Sequence, residues 1–319
     1  MHTHGSARYI LQHADKNMQR RRIDHLVLAV RDLDAAGNLY RRMGFQVGPR
    51  NRHPWGTENR LVQFRTSFLE LITVAGDGAM IPDHTPRHFS FGGFVRDTLA
   101  RGEGLAMLVL DSDDAAADAA QFAADGIGEF VPFFFDRKGR KPDGTETHVA
   151  FTLAFALDPS LSDSAFFTCQ QHFPEAFWNP ALQRHDNGGR DVARVTLAVR
   201  DPTAHTRFLS SFTGVRPRAA ETIYDLGENG CLHVSPTTLQ IGLSAFRVEI
   251  SDAAPLIQEL RAERIAYDTG ADGAVNVHDC HGVAIEFAVV HGDDPDKGPA
   301  RQHVGDVRCT KKVGVQERP

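Results

Sequence analysis

One arrangement of segments occurs four times along the 319-residue chain and limits its fold more than any other feature. In each copy, an apolar run typical of a strand is followed by an acidic or turn residue and then by a helical pattern. The copies begin at 23–36, 103–116, 193–205 and 244–256. Three short strand candidates, separated by Gly, Pro and Asn, follow each helix. The predicted order of elements is therefore βαβββ, four times over.

The first copy shows why these segments predict helices. Asp32 is a residue type that caps helix N-termini, and Gly44 is one that ends helices. Between them, apolar residues recur at spacings of three, four and seven, which is the helical period. These residues are Ala36, Leu39, Tyr40 and Met43. We expect the other three helices to begin near Ser112, Pro202 and Asp252.

A single βαβββ unit is too small to bury a sheet, so the units are expected to pair. Pairing predicts an α+β protein with two domains, at 22–190 and 191–291. The polar, glycine-rich segment 184–191 is the predicted linker. The stretches 1–21 and 292–319 have no periodic apolar face, and we expect them to be flexible tails.

Charge and composition exclude several classes of function. The chain has 35 Lys and Arg against 41 Asp and Glu, which disfavours a nucleic-acid partner. No apolar run approaches the ~18 residues of a membrane span. The four cysteines form no CxxC pair, and the N-terminus lacks the apolar core of a secretory signal. We therefore expect a cytoplasmic protein with no membrane or nucleic-acid partner, and we include a homodimer among the expected assemblies.

Several sequence stretches resemble the vicinal oxygen chelate superfamily, which includes glyoxalase I, extradiol dioxygenases, fosfomycin-resistance proteins and bleomycin-binding proteins. The first strand reads DHLVLAV (24–30), and GFQVGPRNRHPWGTENRLVQF (44–64) and SFLELI (67–72) look like the glyoxalase-like subgroup. THVAFTLAFAL (147–157) and VHDCHGVAIEF (277–287) fit the same comparison. The resemblance implies two domains of paired βαβββ modules, each with a curled mixed sheet that forms a cleft for a small molecule.

In such proteins the metal ligands come from the first and fourth strands of paired modules. His25 matches the first-strand ligand and Glu70 the fourth-strand ligand of module one. An imidazole and a carboxylate on neighbouring strands suit a divalent ion such as Zn, Ni, Mn, Mg or Fe. A buried hydrogen bond between a histidine and a carboxylate is the alternative interpretation of the pair. Glu70 also interrupts an apolar run, where an unpaired carboxylate would be costly.

The other modules depart from this ligand pattern. In module two, Leu105 takes the first-strand position, and either Gln170 or His172 is the candidate third ligand. In the C-terminal pair, Arg194 and Ala245 take the first-strand positions, with His233 and Glu286 at the fourth-strand positions. We therefore expect the C-terminal domain to lack a complete site.

Polar residues near the first cleft suggest how a substrate would bind. The segment 52–61 contains four candidate substrate-binding residues, and His148 is a fifth. The four are His53, Trp55, Asn59 and Arg60. An indole face and a guanidinium suit a small oxygenated, aromatic or acidic molecule.

The resemblance supports three functions, of which a metal-dependent enzyme leads. Its ion would chelate two adjacent oxygens and stabilise an enolate, while Glu70 or His172 moves the proton. Isomerase, epimerase or lyase chemistry is favoured. A metal-free protein that sequesters a small molecule, of the bleomycin-resistance kind, is the alternative. A ring-cleaving dioxygenase is a further one.

Overall fold

The computed structural model describes residues 20–76, 81–140, 146–218, 222–227 and 230–290. The predicted tails fall outside these ranges, apart from Arg20 and Arg21. Arg21 is not part of a flexible tail, because its side chain is largely buried and donates to the Phe212 carbonyl and to Asp118.

The first sheet contains modules one and two. Its strands are β1 (Ile23–Ala29), β2 (Asn51–Arg52), β3 (Thr57–Gln63), β4 (Phe68–Val74), β5 (Gly104–Asp111), β6 (Phe133–Arg140), β7 (Glu146–Ala156) and β8 (Ala165–Gln171). Their order across the sheet is β2-β3-β4-β1-β5-β8-β7-β6. The accompanying helices are α1 (Leu33–Arg42), α2 (Phe91–Arg101), α3 (Ala115–Asp125) and α4 (Pro174–Phe177), with a 3-10 turn at Pro159–Leu161.

The second sheet contains modules three and four. Its strands are β9 (Gly189–Val199), β10 (Ile223–Asp225), β11 (Cys231–Pro236), β12 (Gly242–Ile250), β13 (Asp268–Thr269), β14 (Val275–Val277) and β15 (Ala284–Val289). Their order is β10-β11-β9-β12-β15-β14-β13. A 3-10 turn at Pro202–His205 leads into α5 (Thr206–Thr213), and α6 (Ala253–Ala262) follows β12.

The predicted fold class is confirmed: this is an α+β protein with two curled mixed sheets, each built from a pair of modules. Helix α1 begins as the sequence indicates, because the Asp32 side chain accepts hydrogen bonds from two backbone N–H groups of the first turn. Asp114 caps α3 with two such hydrogen bonds, and Asp252 caps α6 with one, from the N–H of Ala254. Helix α2 was not predicted; its Gly92-Gly93 pair is unfavourable for a helix, and burial of its Phe and Val side chains compensates.

The first sheet is buried on both faces. Alternate residues of β1 point to opposite sides, so Leu26 and Leu28 enter one apolar cluster, whereas Val27 and Ala29 enter another. The first cluster is shared with the second sheet: Phe166 of β8 packs edge-on against Phe208 of α5. The two sheets therefore enclose a common core.

The chain between the sheets is well packed rather than a loose linker. Within 184–191, His185 and Asn187 are buried, and β9 already begins at Gly189. The predicted boundary after residue 190 thus falls inside a strand, although the division into two domains stays a prediction. Among the described residues, none of the helices has both the length and the apolar character needed to cross a membrane.

Candidate functional site

A cavity of about 400 Å³ opens on the face of the first sheet that is turned away from the second sheet. Side chains from all strands of the first sheet except β5 line it, together with the turn after β2 and helices α2 and α4. Seven of the 19 lining residues are aromatic: Trp55, Phe68, Phe91, Phe135, Phe151, Phe167 and Phe177. Polar and charged side chains stand among them, and apolar walls with placed polar groups are the usual composition of a small-molecule site.

His25 and Glu70 lie on the same wall of this cavity. Strands β1 and β4 are parallel neighbours, with His25 opposite Phe68 and Val27 opposite Glu70. Residues two apart on a strand share a face, so both polar side chains point to the cavity side. Each is only 5% exposed. Phe68 stacks on the imidazole of His25 at 4.2 Å between ring centroids.

Asp24 holds His25 in place, and this residue was not among the predicted site residues. Between β1 and β5, Asp24 is an extra residue that interrupts the register, in the manner of a β-bulge. The bulge lets Asp24 turn towards its neighbour, so that Oδ2 lies 2.6 Å from Nδ1 of His25. Gln171 donates from Nε2 to Oδ1 at 2.7 Å. Within the described residues, Nε2 of His25 has no hydrogen-bond partner.

Glu70 is held by a neutral amide. Asn59 donates from Nδ2 to Oε1 at 2.5 Å, and Nε2 of His53 lies 3.8 Å from the same oxygen. The other ring nitrogen of His53 is 2.9 Å from Oγ1 of Thr57. Burial lowers the pKa of His53; Glu70 opposes this shift and the positive charge of Arg137 adds to it. His53 is therefore a neutral imidazole at pH 7.

Two predicted ligands, Gln170 and His172, do not line the cavity. Gln170 donates to the Asp113 carbonyl and accepts from the N–H of Ala115, so it binds the start of α3. Nε2 of His172 lies 2.7 Å from Oγ1 of Thr152. The reason is strand alternation: on β8 it is Cys169 that lines the cavity, and residues one or three positions away point to the opposite face.

Two predicted substrate-binding residues also lie elsewhere. Arg60 is on the opposite face of β3 from Asn59, and its guanidinium binds Asp34 and the Gly48 carbonyl. Nε2 of His148 lies 2.9 Å from Oδ2 of Asp136, and neither His148 nor Arg60 lines the cavity. The remaining predicted residues, His53, Trp55 and Asn59, do line it.

Cys169 and Arg137 are cavity residues that sequence reasoning missed. Asp24, His25 and Cys169 are all buried, and each offers one potential ligand atom within 4.8 Å of the other two. Burial raises the pKa of the Cys169 thiol well above its ordinary value, and the carboxylates of Asp24 and Glu70 add to this. The thiol is therefore protonated in the absence of an ion. The alternation of β8 could have indicated Cys169, whereas nothing in the sequence pattern singles out Arg137.

Comparisons with known proteins agree with the fold. The family model described as a glyoxalase-like domain matches residues 23–213. No curated protein matches the sequence. A hypothetical protein from Staphylococcus aureus of known structure superimposes with a TM-score of 0.59 at 11% identity, covering 84% of this chain and 99% of its own.

Two further solved structures are similar at about the same level. The Mn(II)-bound glyoxalase from Novosphingobium aromaticivorans has a TM-score of 0.53 at 10% identity, covering 85% of this chain and 82% of its own. A mutant of 4-hydroxymandelate synthase from Streptomyces coelicolor has a TM-score of 0.51 at 10% identity, covering 85% and 92%. At these identities the structures show a shared fold. The family match spans more than half of the chain, and the protein therefore belongs to the glyoxalase-like domain family of the vicinal oxygen chelate superfamily.

Proposed function

We propose that this protein is a metal-dependent enzyme that acts on a small molecule with two adjacent oxygens. The observation that carries the proposal is an excess of buried negative charge beside His25. Asp24 and Glu70 are 1% and 5% exposed, and within the described residues no lysine or arginine nitrogen lies at ion-pair distance from either carboxylate. Buried carboxylates are costly unless they are paired or bind a metal. A divalent cation would supply the missing positive charge.

The donor atoms on the cavity wall fit such an ion. Asp24, His25 and Cys169 each offer one potential ligand atom within 4.8 Å of the other two. Among the described residues, Nε2 of His25 has no hydrogen-bond partner that an ion would displace, and the thiol of Cys169 is bonded to Asp24. Asp24 fixes the imidazole through Nδ1, as outer carboxylates do for many metal-binding histidines. Imidazole and thiolate together favour zinc over magnesium. That a protein of similar fold is Mn(II)-bound supports the proposal.

The chemistry that the ion supplies when bound is polarisation of a substrate oxygen. The protein itself contributes the proton transfer. Glu70 is the proposed proton acceptor, because Asn59 occupies only Oε1 of its carboxylate. Neutral His53, whose Nε2 lies 3.8 Å from Oε1, is the next group to which that proton can pass. The reaction class that these residues serve is isomerisation, epimerisation or lyase chemistry.

Metal binding tests the proposal before any substrate is known. Chelator-treated protein should take up one zinc, manganese, nickel or iron(II) ion per chain, measured by elemental analysis and calorimetry. His25→Asn should weaken binding by more than the roughly 10–100-fold typical of losing an outer-shell partner. Glu70→Gln removes one of the two buried negative charges and should weaken binding as well. Gln170→Ala is the matched control, because this residue faces helix α3, and it should bind like the parent protein.

A second measurement tests the enzymatic part. A panel of α-hydroxy ketones, 2-oxo acids and catechols, assayed with and without added metal, should contain a substrate whose turnover requires both the ion and Glu70. Failure of the parent protein to bind any of these ions would contradict the proposal. It would favour a protein that binds a small molecule in the same cavity without metal.

A further inference from the structure

The mouth of the cavity carries two arginines that differ in their surroundings. Nη1 of Arg52 lies 3.8 Å from Oε1 of Glu58, so this guanidinium has an acidic neighbour. Arg137, on β6 opposite Val149, lines the cavity and is exposed. Within the described part of the chain, the guanidinium of Arg137 has no hydrogen-bond acceptor and no carboxylate at ion-pair distance. An arginine without a partner at the entrance of a cavity is available to a ligand.

The electrostatics of the interior leave Arg137 as the cation that a ligand would meet. Glu70 is the acidic group that acts on it, but the carboxylate is already bound by the amide of Asn59. The guanidinium itself stays charged at all relevant pH values. Its planar fork of donors matches a carboxylate better than a single-point cation would.

The wall below Arg137 is built for a flat ring. Trp55 and Phe135 meet nearly at right angles, 4.9 Å apart, and Phe135 stacks on Phe151 at 5.1 Å. Phe167, deeper in the cavity, meets His25 edge-on at 5.6 Å. Such a wall offers both ring faces and ring edges, which are the two surfaces that aromatic ligands contact favourably. The volume of about 400 Å³ suits one or two fused rings with a short substituent.

We propose that the cavity binds a planar aromatic monocarboxylate, with its ring between the aromatic side chains and its carboxylate on Arg137. This inference deepens the proposed function, because it names the substrate class for the same cavity. It replaces Arg60, which the sequence indicated, by Arg137 as the residue that determines specificity. The buried end of the ligand then lies beside Glu70 and His25, where the reaction would take place.

Calorimetry with two matched probes tests the inference on chelator-treated protein. 2-Naphthoate carries the carboxylate, and 2-naphthamide is its neutral counterpart of the same shape. We expect naphthoate to bind about 10–100-fold more tightly, the range for a charge-assisted hydrogen-bonded pair. Cyclohexanecarboxylate should bind more weakly than benzoate, since its ring is not flat.

Variants on β6 test whether the preference for naphthoate depends on Arg137. Arg137→Gln should abolish the discrimination between naphthoate and naphthamide, and Arg137→Lys should keep part of it. Lys138→Gln is the matched control: it removes the same charge from the adjacent residue, which does not line the cavity. It should leave the discrimination unchanged.

The outcomes separate this inference from the metal proposal. Equal binding of the two probes by the parent protein, or equal effects of Arg137→Gln and Lys138→Gln, would overturn the inference and leave the metal titration untouched. Preference for naphthoate that depends on Arg137, in a protein that binds no metal, would support the inference and contradict the proposed enzyme.

Discussion

The two sheets share one topology but differ in how their central carboxylates are bonded. In each, the first strand is parallel to one neighbour and antiparallel to the other: β1 lies between β4 and β5, and β9 lies between β11 and β12. In the first sheet this strand carries His25 and a buried carboxylate lies nearby. In the second, Arg194 and Arg247 both donate to Glu286.

The difference shows how a fold can keep or lose a site without changing its backbone. The Glu286 carboxylate is bound by a guanidinium at each oxygen, so neither oxygen is left for an ion or a substrate. Glu70 is bound by a neutral amide at one oxygen only. The Glu70 carboxylate thus keeps one oxygen without a side-chain donor among the described residues, whereas both oxygens of Glu286 are bonded. Function is decided by such side chains and not by the fold that carries them.

The largest expected effect tests whether the two halves, despite their different clefts, fold as one unit. Phe166 is fully buried and packs against Phe208 and Phe212 of the second half. Phe166→Ala should lower the free energy of unfolding by about 3–5 kcal/mol in a single transition followed by circular dichroism and fluorescence in urea. Phe134→Ala, at an exposed site, is the control and should change it by less than about 1 kcal/mol. Two separate transitions would show that the halves are independent.

A second pair of variants compares the two carboxylates directly. Glu286→Gln leaves two neighbouring guanidinium groups without their shared anion, and we expect a loss of about 2–3 kcal/mol. This loss is smaller than the 3–5 kcal/mol that breaking a fully buried ion pair costs, because the three side chains are 19–23% exposed. Glu70→Gln should cost less than about 1 kcal/mol, because a glutamine oxygen can still accept from Asn59. If the two variants lost the same free energy of unfolding in urea, the two carboxylates would not differ in how strongly they are paired.

A pH-dependent prediction concerns the junction between the halves. Nδ1 of His185 accepts from the N–H of Gln46, Nε2 lies 3.0 Å from the Gln63 carbonyl, and burial lowers the pKa of His185 to about 4. Its unfolded pKa is about 6.5, so between these values the unfolded chain binds the extra proton and stability falls as the pH is lowered. From pH 7 to pH 5 the loss attributable to this residue is about 2 kcal/mol.

The measurement for this prediction is urea unfolding at both pH values. His185→Gln should be less stable at pH 7 and should lose this part of the pH dependence. Exposed His148, substituted in the same way, should keep it. If the stability difference between pH 7 and pH 5 is the same in the parent protein and in His185→Gln, then His185 is not the source of this pH dependence.

The smallest expected effect is that of Arg60→Gln, which tests whether an arginine on the other face of the first sheet contributes to ligand binding. Arg60 binds Asp34, which is exposed, and surface ion pairs of this kind contribute about 0–1 kcal/mol. Arg60→Gln should therefore leave naphthoate affinity within about twofold of the parent value. A loss as large as that of Arg137→Gln would mean that the cavity is not the ligand site.

Much of the fold follows from local sequence patterns. The four modules, the aspartate caps and the glyoxalase-like resemblance depend on residues close together in the chain, and the structure and the family match confirm them. The positions of His25 and Glu70 on neighbouring strands also follow, because the repeat assigns each residue to a strand of module one. Helix α2 is the exception, since tertiary burial and not local propensity stabilises it.

What the sequence by itself determined is therefore the set of strands and helices, their pairing into modules and two polar positions of one cleft. Only the tertiary structure decided which side of β8 meets that cleft, so that Cys169 lines the cavity and Gln170 and His172 do not. Alternation makes residues two apart share a face, but it does not say which face is turned to the cavity. The bulge at Asp24 and the approach of Arg137 from β6 likewise arise from pairing between strands distant in the chain, which no local pattern encodes.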